Sequence, residues 1–418
     1  MYLMVLAVPA YPLGGGRFAV ESAFAQHLRQ LKRRLGPIAE DLVVATPRLP
    51  EPAYRLLEKS MEVLDEEHDR IRLVPLYETG GSHTAFLKEW PVILRRLTAE
   101  VRRAEVVHSG NSYFTRPVEF TALALAKLRG AKTIFVTDID DRNSAKMNLE
   151  SGYWGRRQYA VNRIFADTFM HLQRWIAARA FSLVLLKGSR LAHDYGRGRP
   201  NVKNFLDSAF NSEHLIPEEE LERKLRAVTA QPAGPLEVIY FGRLVAYKGI
   251  DHMLRAVKGA REGGADVRFG VIGAGPEQER LEDLMRELGI ADIVTFHGAM
   301  PFGERLFAKI RAAHVLLAAP LSEDTPRSAL DAMAGAEVVV AYDTYYYKEL
   351  ADGGGGVVVV PWLDHEAMAR ELVALAQSRD RLAELMRRSV RFARANTQEI
   401  WLERRVEWTR EIFRRIAG

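Results

Sequence analysis

The chain has no cysteine among its 418 residues. That excludes a disulfide framework and any thiolate metal site, and it favours a cytosolic setting. No apolar stretch approaches the roughly 18 charge-free residues of a membrane-spanning helix. The opening run MYLMVLAVPAYPLGGG has no basic segment ahead of its apolar part. It reads as a first buried strand. Short-period repeats and low-complexity segments are absent, and the run Gly353–Gly356 reads as a turn. No nucleic-acid-binding motif is present, and the basic residues are scattered over helices with no aromatic platform, which argues against nucleic acid as a partner.

What remains is a globular composition, with 48% apolar and 27% charged residues. The length is too great for one ordinary core and predicts two domains of about 150–200 residues each. The net charge of +5 hides an asymmetry. Residues 1–205 carry 31 Lys and Arg against 21 Asp and Glu, while the remainder carries 28 against 33. A basic first half suits an anionic acceptor or membrane face, or is simply a solvated surface. The helical stretches HLRQLKRRLG at 27–36 and WPVILRRL at 90–97 would be the membrane-facing candidates.

Short apolar runs alternate with amphipathic stretches almost throughout. Strands are predicted at 2–8, 41–46, 71–75, 104–108, 132–138 and 182–187, with helices clearest at 17–35, 83–103, 114–129 and 156–179. After a Pro- and Gly-containing stretch at 227–235 the pattern restarts. Strands follow at 236–241, 267–272, 293–297, 314–319, 337–342 and 356–360, with helices at 250–262, 277–288, 302–312, 326–335 and 364–378. Continuous apolar strands with intervening helices imply α/β architecture, with parallel sheets covered on both faces. The expected division is 1–205, a linker or hinge at 206–235, and 236–396, with an amphipathic helix at 397–418 packing back on the first domain. Ligands in doubly wound folds bind at the C-terminal edges of the strands, near helix starts.

Four segments at such edges carry chemistry. In FGRLVAYKGID, residues 241–251, Arg243 and Lys248 follow a strand and suit a diphosphate. In VIGAGPEQERLEDLMRELG, residues 271–289, Gly273 and Gly275 admit close approach of a ligand, or merely a tight turn. In LLAAPLSEDTPRSALDAMAGAEVVV, residues 316–340, Thr325 is a natural N-cap and Pro326 a natural first helical residue. The amides of Arg327 and Ser328 would then form an anion site, flanked by the carboxylates of Glu323 and Asp331. The fourth is the loop Gly14-Gly15-Gly16, placed before a helix.

In combination these segments resemble the retaining glycosyltransferases of family 4, which have the GT-B fold: two Rossmann-like, doubly wound domains facing across a cleft. The likeness is strongest over residues 236–378, where GRL…KG, G.GPE, V.FHG, the acidic segment and AMA.G…VV.Y keep their order. It implies a transferase that moves a sugar from a nucleotide-diphosphate donor (UDP- or GDP-sugar) to a hydroxyl of a glycan, glycolipid or small molecule. No metal or other cofactor is implied. Arg243 and Lys248 would hold the diphosphate, Glu323 the transferred sugar and Asp331 the ribose. Thr325, Pro326, Arg327 and Ser328 would receive phosphate or sugar, Met300 would border the base, and Gly15 and Gly16 would lie across from the diphosphate. Closure about 206–235 would exclude water.

The sequence also departs from the family. Asp331 stands where a glutamate is usual, and Tyr345-Tyr346-Tyr347 stands where two glycines are frequent. His108-Ser109-Gly110 and Asp140-Asp141 replace histidine-bearing strand ends. His108, Asp140 and Tyr346 are acceptor-side candidates. Asp138-x-Asp140 mimics a metal motif, but its place in the acceptor half favours a polar or capping role. A sugar-nucleotide epimerase of the same fold and a non-catalytic binding subunit on this scaffold are the alternatives.

Overall fold

A computed structural model of the chain describes residues 1–36, 38–137, 140–230 and 234–414. The chain forms two compact units, one of residues 1–138, 160–206 and 399–418, the other of 139–159 and 207–398. The segment 139–159 thus joins the second unit although both its flanks belong to the first.

The first unit holds a seven-stranded parallel sheet. Its spatial order is Val202–Phe205, Leu183–Lys187, Lys132–Thr137, Val106–Gly110, Tyr2–Val5, Leu42–Arg48 and Ile71–Glu78. Alternate residues of one strand feed opposite faces, as a period of two requires. Leu3 and Val5 pack with Phe86 and Leu97 on one side. Tyr2 and Met4 pack with Leu28 and Leu31 on the other. Leu402, Val406 and Ile412 of the helix Gln398–Arg414 join that second face.

Three expectations need correction. The glycines Gly14, Gly15 and Gly16, with φ of +84°, +58° and +77°, make a hairpin turn instead of a strand-to-helix loop. They join Tyr11–Gly14 to Arg17–Glu21, and Met61–Asp65 completes a small antiparallel sheet. The helix expected from residue 17 begins at Ser22, where the Glu21 carboxylate accepts from the amides of Ala23 and Phe24. The segment 206–235 is not an open linker: it contains the helix Glu218–Ala230, whose Leu221, Leu225 and Val228 are buried in the second core. The two basic helices offered as membrane-facing bury Leu28, Leu31 and Leu35 on one and Ile93 and Leu97 on the other, while Leu87 and Val92 of the second are exposed. Among the described residues no helix is long and apolar enough to cross a membrane.

The second unit holds a six-stranded parallel sheet ordered Val294–Gly298, Val267–Ile272, Leu236–Phe241, Val315–Ala318, Val338–Tyr342 and Val357–Val360. Chain order runs outward in opposite directions from the pair Leu236–Phe241 and Val315–Ala318. That pair is the topological switch point, and the crevice beyond its carboxyl ends is where such a sheet takes a ligand.

Candidate functional site

The strand ends beside the switch point are tied together backbone to backbone. The amide of Gly242 donates to Ile272 O at 3.0 Å, that of Leu244 to Ala274 O at 3.0 Å, and that of Glu277 to Leu244 O at 3.1 Å. A Cβ on Gly273 would stand 1.9 Å from Gly242 O, and one on Gly275 2.2 Å from Leu244 O. Both glycines therefore serve the contact between the two loops, whatever else approaches them.

This interlock presents Arg243 to solvent, where its Nη2 donates to Tyr247 Oη at 2.9 Å. The Tyr240 hydroxyl donates to Arg243 O at 2.9 Å and fixes the backbone beneath it. On the other side of the switch point, Leu321 N donates to Tyr247 O at 2.8 Å. Gly249, with φ of +64°, passes so close to Ala319 O that a Cβ would lie 2.0 Å from it. Lys248 is thereby carried to the acidic loop, where its ammonium pairs with Asp324 and both side chains are about 15% exposed. Tyr240, Lys248, Ala319, Asp324, Ser328 and Tyr347 line the crevice at this point.

Glu323, next to Asp324, is 7% exposed. Its Oε2 accepts from Asn143 Nδ2 at 2.5 Å, and its carbonyl accepts from Ser144 Oγ at 3.5 Å. Both donors sit in the first turn of the helix Asp141–Glu150. Asp140 caps that helix by accepting from Asn143 N at 3.3 Å, so the capping alternative is the one realised there. Asp138, the other half of the apparent metal motif, lies outside the described residues.

Asp331 is buried, at 5% exposure, and is not a solvated helical aspartate. The helix that carries it runs Ser328–Ala334, so Thr325 and Pro326 precede it and do not cap it. A residue before proline is pushed towards extended backbone, and Pro326 O is already engaged by the hydroxyl of Tyr346 at 2.9 Å. The first amides of any helix lack an acceptor inside it, and here those are the amides from Ser328 onward, on a helix of only two turns.

Two acceptor-side candidates prove to be braces. Tyr346 is 3% exposed, and burial raises its hydroxyl well above the ordinary tyrosine range, so it holds the Pro326 turn as a neutral donor. His108 is buried in the first unit, where Arg405 Nη2 lies 2.7 Å from its ring nitrogens and Tyr2 Oη 3.3 Å from Nδ1. Burial, with the Arg405 charge in support, holds its imidazole well below the usual range, hence neutral. Gly15 and Gly16 also lie in the first unit, exposed at the hairpin tip. Met300 follows the strand Val294–Gly298, half-buried. The structure therefore brings Lys248, Glu323, Ser328 and Asp331 to one sheet edge, with Arg243 at its rim. Sequence reasoning missed Asp324, Asn143 and Tyr247; only Asp324, beside Glu323, had a visible signal.

Residues 222–394 match the family described as glycosyl transferases group 1. Over 186 residues the chain is 29% identical to the 2-deoxystreptamine glucosyltransferase of Streptomyces kanamyceticus, covering 44% of this chain and 48% of that one. The chain thus spans about half the length of the curated relatives it matches. It superposes on HepE of Anabaena in complex with UDP-glucose with a TM-score of 0.64 and 14% identity, covering 98% of this chain and 99% of that one. It superposes on the sucrose-phosphate synthase of Thermosynechococcus elongatus with a TM-score of 0.69 and 16% identity, covering 99% of each. At such identity the likeness concerns the fold, which is of GT-B type with two Rossmann-like units.

Proposed function

We propose, from the match of residues 222–394 to the glycosyl transferases group 1 family, that the chain is a retaining family 4 glycosyltransferase. It transfers a sugar from a UDP- or GDP-sugar to a hydroxyl of a glycan, a glycolipid or a small molecule. The observation that carries this reading is the convergence of Lys248 and the buried Glu323 at the switch point, joined through Asp324. A lysine held there and an exposed arginine beside it suit a diphosphate whose negative charge grows as the glycosidic bond breaks. Glu323, held by Asn143, accepts from hydroxyls of the sugar, and Asp331 accepts from the ribose. The incoming hydroxyl attacks from the face that the diphosphate leaves. HepE is described in complex with UDP-glucose, which favours a uridine donor.

In this reading Arg243 and Lys248 supply the positive charge, so transfer proceeds without a resident metal or cofactor. The chain works in the cytoplasm, in peripheral contact with a membrane. Thermal-shift binding against nucleoside diphosphates and nucleotide sugars, in the presence of a chelator, tests the reading. One base should give a clear shift. Lys248→Ala should weaken the diphosphate far more than the bare nucleoside, and Glu323→Ala should abolish transfer while sparing nucleotide binding. Failure of every nucleotide to bind would leave the chain a scaffold without donor chemistry.

A further inference from the structure

Two groups of the crevice have no part in the chemistry above: the Asp324 carboxylate and the last hydroxyl of the run Tyr345-Tyr346-Tyr347. The Lys248 ammonium, the cation that suits a diphosphate, is paired with Asp324. A carboxylate in that place lowers the positive potential that an incoming diphosphate meets, and two anions then compete for one ammonium. Arg243 is differently placed. Among the described residues no carboxylate pairs with it, and it stands in solvent with Nη2 on the Tyr247 hydroxyl at 2.9 Å.

The backbone holds the ion pair together. Leu321 N donates to Tyr247 O at 2.8 Å, and Gly249 packs directly on Ala319 O, so the two loops cannot part to separate the charges. Separation therefore requires the Asp324 side chain to turn, and a half-buried carboxylate that turns away from its partner needs another donor. Three phenols lie near enough for the Asp324 charge to act on them, those of Tyr240, Tyr346 and Tyr347. Tyr240 already donates to Arg243 O, and Tyr346 to Pro326 O, each at 2.9 Å. Tyr347 is 2% exposed and lines the crevice beside Lys248, Asp324 and Ser328. Among the described residues no hydrogen bond engages its hydroxyl. Burial, with the Asp324 charge in support, raises that hydroxyl well above the ordinary tyrosine range, so it remains a neutral donor.

We propose that Asp324 is a two-position latch on the donor site, paired with Lys248 before a nucleoside diphosphate binds and turned to the Tyr347 hydroxyl once the diphosphate takes Lys248. The diphosphate meets Arg243 first and then draws Lys248 from Asp324. As it leaves, Asp324 reclaims the ammonium. The latch rests on the transferase reading, and within it Asp324 and Tyr347 are positioning residues that act through Lys248.

The test is titration calorimetry of the full chain with UDP and GDP, each against its nucleoside, for wild type, Asp324→Asn, Tyr347→Phe and the double variant. Asp324→Asn removes the competing charge and should bind the preferred diphosphate at least about five-fold more tightly. Tyr347→Phe removes the second berth and should bind it at least about five-fold more weakly. The double variant should behave as Asp324→Asn alone, because the berth is idle without the charge. Nucleoside affinity should not change in any of them. A role in holding the crevice together would instead weaken the diphosphate in both single variants and add in the double. Should Tyr347→Phe not fold, Asp324→Ala must reproduce the tightening. Diphosphate binding by wild type that Asp324→Asn does not tighten, or a loss from Tyr347→Phe that persists beside Asp324→Asn, would overturn the latch and leave the transferase reading standing. Binding of neither diphosphate by any of the proteins would overturn both.

Discussion

Gly275→Ala isolates the interlock beneath the candidate donor site. The position is not among the glycines with positive φ, so alanine meets no backbone penalty there. The perturbation is purely steric. The new methyl would lie 2.2 Å from Leu244 O, 2.7 Å from its carbon and 2.8 Å from its nitrogen, all backbone atoms. Ordinary contact begins at 3.4 Å, so the two loops must part by roughly 1.2 Å. Overpacking of this kind costs about 1–3 kcal/mol. A misplacement near 1 Å at a reacting centre costs about 10²-fold in rate, and Arg243 sits on the displaced loop. Urea unfolding should therefore show a loss of about 1–3 kcal/mol, and calorimetry should show nucleoside-diphosphate affinity falling much more than nucleoside affinity. Gly264→Ala is the control: φ of +84° with nothing within 4 Å, it should cost about 1–2 kcal/mol of backbone strain and leave nucleotide binding untouched. If Gly275→Ala kept both stability and diphosphate affinity, the loops would not be locked as described.

Two further predictions concern buried polar groups. Removing the amide in Asn143→Ala leaves the Glu323 carboxylate short of one donor, and it should cut kcat about ten-fold or more with donor KM nearly unchanged; Asn143→Asp should be worse, and equal losses from both would refute positioning by the amide. Lys224, half-buried in the helix Glu218–Ala230 and donating to Gly335 O at 2.9 Å, has its ammonium pushed down to about 8 by burial, despite the raising effect of Glu337. Because its folded value lies below the unfolded one, the folded chain binds fewer protons between about pH 8 and 10.5. Stability should thus rise over that window, by about 2 kcal/mol from pH 8 to 10. Denaturation of Lys224→Met at the two pH values should lack this increment relative to wild type, and an undiminished increment would refute the assignment.

Much of the second unit was legible in its sequence. Leu236–Phe241 and Val267–Ile272 begin and end where predicted, because each is a mostly apolar, β-branched and aromatic run closed by glycine. The helix Glu218–Ala230 was misread as charged linker because its glutamates and lysine dominate the composition. Its Leu221, Leu225 and Val228, at helical spacing, were the available signal. The hairpin at Gly14–Gly16 was mistaken for a strand-to-helix loop because Phe18, Ala19 and Val20 are all buried and show no alternation. The Asn143–Glu323 contact joins residues 180 positions apart, and no local pattern encodes such a pair. Nor could spacing tell that His108 and Tyr346 point into cores, since burial at a strand end depends on what packs over it.

The passage of residues 139–159 into the second unit bears on how relatives of this protein can be recombined. A chimera joined at 206/207 looks like a clean exchange of donor halves. It would take Glu323 from one parent and Asn143, the amide that orients it, from the other. Recombinants that also exchange 139–159 keep the pair together, so the heritable module for sugar recognition is two stretches of sequence and not one.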